Sequence, residues 1–122
     1  MIEHGSFHIE LLDNIIHVYP IGGFNEAGIK AIHDEIRSIA PTDQAWALIE
    51  HPKDQAGLTP EAADELCKYY CQLSSFGCKA VGMEVNNFWA RTIGELLENK
   101  IDIPVYFHED SDEVKKAVLK HL

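Results

Sequence analysis

Apolar and polar positions alternate through Phe7-His8-Ile9-Glu10-Leu11, the period of a half-buried strand. Asp13-Asn14 follows, a pair suited to a tight hairpin turn, and Ile15 to Ile21 form the partner strand. Gly22-Gly23 breaks that strand. Asn25 is a good N-cap for a helix that runs to about Ala40. Its residues Ile29, Ile32, Ile36 and Ile39 share one helical face, and Pro41 and Asp43 end it. Ala45-Trp46-Ala47-Leu48-Ile49 is a continuous apolar run, the mark of an interior parallel strand covered on both faces.

A loop from His51 to Leu58 leads to Thr59-Pro60, an N-cap followed by proline at the first helical position. This second helix carries Leu66, Tyr70 and Leu73 on one face and stops near Gly77. Lys79 to Met83 is the next strand, and Asn86 or Asn87 caps a third helix with Trp89, Ile93, Leu96 and Leu97 as its stripe. Ile103 to Phe107 is the last strand, placed at a sheet edge by Pro104, which cannot donate to a ladder. Asp110 or Ser111 opens the final helix, with Val114, Val118 and Leu122 toward the core. The order β-β-α-β-α-β-α-β-α predicts one α/β domain over residues 1–122, a mostly parallel five-stranded sheet with one antiparallel edge strand.

Charge narrows the function classes. Twenty acidic and ten basic side chains leave a net charge of −10. Phosphate contacts need a basic face, so nucleic acid and anionic lipid are disfavoured as partners. No segment approaches the length of a membrane span, and Met1 to Gly5 has neither a basic stretch nor an apolar signal core. A cytoplasmic location is the expectation. Three cysteines, Cys67, Cys71 and Cys78, are read as buried free thiols and not as a disulfide framework.

Three stretches resemble the SpoIIAA-like group, which shares the STAS fold and is related in shape to the CRAL-TRIO fold. They are Gly23-Phe24-Asn25 after the hairpin, Trp46-Ala47-Leu48-Ile49-Glu50 as a central strand ending in an acid, and Val105 to Asp110 with Glu113-Val114 as closing strand and helix. The resemblance spans most of the chain as an order of elements. It implies a phosphorylated serine before the second helix, in an Asp-Ser-Ser-Gly-type turn. Here Ala56-Gly57-Leu58-Thr59 stands at that place, so Thr59 is the phosphoacceptor candidate, against its plain role as a cap.

Ligands of open α/β sheets sit at the carboxyl ends of parallel strands. That rim holds Gly22 to Asn25, Glu50-His51, Glu84 to Asn87 and His108 to Asp110. His51 and His108 are expected two strands apart, roughly 10 Å at the backbone. With Glu84 they are the candidate metal ligands or acid–base groups, but no H-x-H or H-x-x-x-H spacing joins them. The plain alternative is a solvated rim, and no cofactor is implied. Asn86-Asn87-Phe88-Trp89-Ala90-Arg91 concentrates amides, aromatics and an arginine at a strand-to-helix junction. With Asn25 these are the ligand- or partner-binding candidates, against the alternative that Trp89 packs in the core and Arg91 pairs with Glu95. The remaining histidines share no spacing, and His8 and His17 are expected as cross-strand neighbours on a hydrophilic face. The leading reading is a non-enzymatic regulatory or interaction module that docks a protein partner or pairs with itself. The alternatives are a carrier of a small apolar ligand and an enzyme using the His/carboxylate rim.

Overall fold

The computed structural model describes every residue except Asp54, Asn86, Asn87, Glu98 and Asn99, and of Phe88 and Ala90 the backbone alone. Strands β1 (Ser6–Leu12) and β2 (Ile15–Ile21) form the predicted hairpin. Asp13 and Asn14 take φ of 52° and 64°, the left-handed pair of a type I′ turn. The order continues through β3 (Gly23–Phe24), α1 (Glu26–Ile39), β4 (Trp46–Glu50), β5 (Gly57–Leu58), α2 (Pro60–Tyr70), β6 (Cys78–Glu84), α3 (Phe88–Leu97), β7 (Val105–His108) and α4 (Ser111–Leu119). The main sheet runs β1-β2-β4-β6-β7, antiparallel between β1 and β2 and parallel elsewhere. This is the predicted α/β architecture, with Pro104 just before an edge strand.

Three details differ from the expectations. The chain from Gly23 and the chain from Gly57 pair as a two-stranded parallel ribbon, Gly23 with Gly57 and Phe24 with Leu58, too short to leave a periodic signal. The second helix ends at Tyr70, and Leu73 sits in a separate 3₁₀ turn, Leu73–Phe76, that closes on Gly77 at φ 93°. Leu122 lies beyond α4 and is 42% exposed, so only Val114 and Val118 anchor that helix.

The two sheet faces are covered unequally. On one, Ile29, Ile32 and Ile36 of α1, Leu66 and Tyr70 of α2, and Trp89 and Ile93 of α3 close over the even-numbered side of β2 and over Leu48, Val81 and Met83. On the other, Val114 and Val118 of α4 cover Ile15, Ala47, Ile49 and Ala80, with Tyr106 packed against the same cluster. Asn25 caps α1 by accepting from Gly28 N, and Thr59 caps α2 by accepting from Ala62 N. Each removes an orphan helix-terminal donor.

The seat of α4 is tight at Gly82. A Cβ built there meets Val114 Cγ1 at 2.3 Å and Val118 Cγ1 at 3.1 Å. Gly82→Ala is therefore expected to cost about 1–3 kcal/mol, the range for overpacking a filled core. Gly23→Ala, whose Cβ meets nothing within 4 Å, is the control. Urea unfolding of both variants checks the difference.

Candidate functional site

The carboxyl end of the sheet is organised by strand alternation. The backbone N–H of His51 donates to Val18 O at 2.7 Å, and that of Lys53 to Pro20 O at 3.1 Å, so the chain keeps following β2 beyond β4. Successive residues then point to opposite faces. Glu50 enters the layer beneath α2 and α3. His51 points to the opposite face, beyond the cover of α4, and is buried there beneath Tyr19, beside His17 and, from β6, Glu84.

On that open face three strands contribute one hydrogen-bonded line. His51 Nδ1 pairs with Glu84 Oε1, and His51 Nε2 lies 2.8 Å from His17 Nδ1. With Glu84 ionised, the consistent arrangement has His51 Nδ1–H donating to the carboxylate and His17 Nδ1–H donating to His51 Nε2. Tyr19 stacks on His51 with ring centroids 4.5 Å apart and planes 12° apart. Lys53 Nζ sits 5.6 Å from the Tyr19 ring centroid. The cleft beside this stack has a volume of about 590 Å³ and is lined by Tyr19, Ile21, His51, Lys53, Gln55 and Glu84, among others. Burial first, then the neighbouring His51, lowers the pKa of His17 below its ordinary 6.5.

Beneath the other face lies a second polar group. Glu50 is fully buried, accepts from the Tyr70 hydroxyl at Oε2, and lies 3.4 Å from the Trp89 indole N–H at the same oxygen. Its Oε1 has no hydrogen-bond partner among the described residues. Burial pushes the carboxyl up to about 7, with the two donors pulling the other way. Burial and the Glu50 carboxylate hold the Tyr70 phenol well above its usual range, so it acts as a donor. His33, stacked on Tyr69 at 4.6 Å, is likewise buried and is pushed down to about 3 by desolvation.

The sequence candidates separate on this frame. His51 and Glu84 come together as the rim predicted. His108 does not join them: its Nδ1 accepts from Asp110 N at 2.9 Å, which ties it to the turn before α4. His17 takes its place. His8 and His17 are not opposite each other. In a hairpin closed by Asp13-Asn14, His8 faces Tyr19 and Glu10 faces His17. Asn25 is occupied by the helix cap, by His4 N and by Ile2 O. Trp89 is 1% exposed, so its place is in the core and not on a docking surface. Arg91 is exposed, Thr59 is an exposed cap, and Asn86, Asn87 and the Phe88 side chain lie outside the described residues. Of the thiols only Cys78 is buried, while Cys67 is half-buried and Cys71 exposed, because α2 turns Cys71 away from the sheet at its C-terminus.

In the sequence His17 is only a hairpin-face residue and Tyr70 only part of the apolar face of the second helix, and Tyr19 stands out in no pattern. The parity of β2 places His17 and Tyr19 on one face, and that signal was available. Which residues of β4 and β6 they meet depends on parallel register, for which no local motif exists.

Two pH responses follow. Glu50 binds its proton more tightly folded, at about 7, than unfolded, near 4.5. The unfolded chain therefore ionises first, and this group's contribution to stability falls as pH rises from 4.5 through 7. Glu50→Gln is expected to gain on the parent across that window, by on the order of 3 kcal/mol, and to hold the gain above it. Denaturation at stepped pH checks this, with His33 common to both chains. His17 has a lowered folded pKa, so its contribution is complete above 6.5 and is lost as pH falls below that value. NMR titration is expected to find His17 below 6.5, and His51→Ala to raise it by removing both cover and the neighbouring ring.

No family model matches the chain, and no curated protein matches it. A solved structure does: an uncharacterized protein of the DUF3478 family from Shewanella loihica PV-4, described as having a SpoIIAA-like fold. It is 13% identical, with a TM-score of 0.54 over 97% of this chain and 96% of that one. At that identity the likeness shows the fold alone. The chain has a mixed α/β, SpoIIAA-like fold.

Proposed function

We propose that this chain is a non-enzymatic interaction module that docks a protein partner on the open carboxyl end of its sheet, around His51. The observation that carries the reading is the His17–His51–Glu84 line. Both ring nitrogens of His51 are taken by protein groups, so the ring is held as a rigid platform and keeps no nitrogen for a substrate. Tyr19 is stacked on it, and Ile21, 44% exposed, stands beside the same cleft. Preformed aromatic surface of this kind anchors a partner side chain at little entropic cost. Two of the thiols give no support to covalent chemistry, since burial pushes Cys67 up to about 11 and Cys78 up to about 12. The net charge of −10 favours a partner with a basic surface. The SpoIIAA-like fold accommodates such a regulatory role.

Affinity capture on the immobilised full chain tests the reading, with Tyr19→Ala/Ile21→Asp and the distant Lys116→Ala as variants. A basic protein is expected to be retained by the parent and by Lys116→Ala, to be lost from the double variant, and to elute with moderate salt. Retention by the double variant, or no retention by the folded parent, overturns it.

A further inference from the structure

The two edges of the main sheet are unlike. β7 is four residues long, follows Pro104, and lies under α4. Those are common guards against edge pairing. β1 is seven residues long, pairs with β2 without interruption from Ser6 to Leu12, and contains no proline, lysine or bulge.

The backbone groups that β1 turns outward can be identified. The carbonyls of Val18 and Pro20 accept from the β4 side, so His17 and Tyr19 direct their backbone groups to β1. Their partners Glu10 and His8 are then inward-bonded, as is Leu12 at the turn. Phe7, Ile9 and Leu11 remain, with N–H and C=O directed away from the sheet.

We infer that the β1 edge pairs antiparallel with β1 of a second copy of this chain, on a two-fold axis at Ile9. In that register Phe7 meets Leu11, Ile9 meets itself and Leu11 meets Phe7, each as a hydrogen-bonded pair using the outward groups of both copies. His8 falls opposite Glu10 twice, at the closer non-hydrogen-bonded positions. An imidazole N–H donor thus meets a carboxylate acceptor at both symmetry-related positions, and the strand is complementary to itself as a symmetric interface requires. On the helix face, Leu11, 39% exposed, gains the Phe7 side chain of the other copy as cover. Two sheets join into one, with both His51 clefts on the same side. This pairing does not depend on the partner docking proposed above.

Native mass spectrometry and light scattering of the full chain over a dilution series test the inference. The parent is expected at twice 13.7 kDa when concentrated. His8→Glu sets like charges opposite each other at both symmetry-related positions and is expected to weaken association about tenfold. His8→Glu/Glu10→Lys sets opposite charges across the axis and is expected to restore the dimer. Hydrogen exchange of the unmutated chain supplies a second reading. The Phe7, Ile9 and Leu11 amides are expected to be protected in concentrated samples and to exchange freely on dilution. A parent that stays monomeric with those amides unprotected overturns the inference. So does a dimer that the folded His8→Glu variant forms equally well.

Discussion

The burial of β4 on both faces is the constraint on which the rest of the arrangement depends. All five of its residues, Trp46 to Glu50, are buried, and a strand in that position has no solvent side on which to place a polar group. Alternation then dictates what happens where the apolar run ends. Glu50 is directed into the helix layer and His51 onto the opposite face, so one dipeptide supplies a polar centre to each side of the sheet. The short β3–β5 ribbon anchors the loop that follows, with Gly57 N donating to Gly22 O at 3.0 Å and Thr59 N to Phe24 O at 3.1 Å.

A carboxyl placed where Glu50 sits loses its hydration, and an ionised one is costly there without full hydrogen bonding. The protein supplies two donors, Tyr70 and Trp89, both at Oε2, and leaves Oε1 unpartnered among the described residues. Desolvation raises the proton affinity of the carboxyl, and the two donors offset that only in part. His33, buried against Tyr69, resolves the same problem in the opposite sense by staying neutral. Both groups sit in the thick helix layer, where α1, α2 and α3 exclude water.

The other face is thinner. One helix, anchored by Val114 and Val118, covers its centre, and the absence of a side chain at Gly82 permits its close approach. Beyond the reach of α4 the strand ends stay open, and there His17, His51 and Glu84 satisfy one another. Their mutual bonding keeps polar side chains ordered at a surface that would otherwise hold them in many rotamers. A likeness to a solved SpoIIAA-like structure at 13% identity fits this division: layer order survives on hydrophobic pattern alone, whereas function depends on the particular groups at the strand ends.

Element order, the hairpin, its edge position, the caps Asn25 and Thr59, and the parity that sends Glu50 and His51 apart were all legible in the chain, because each depends on neighbours a few residues away. The turn at Asp13-Asn14 also determined that His8 faces Tyr19 and Glu10 faces His17. Other features arose only in three dimensions. His17 rather than His108 completes the line with His51 and Glu84, Tyr70 and Trp89 meet Glu50, and Gly23-Phe24 pairs with Gly57-Leu58. Each of these joins segments more than ten residues apart. Parallel strands have no connecting turn to set their register, so the packing of crossover helices sets it, and that packing is a property of the whole core.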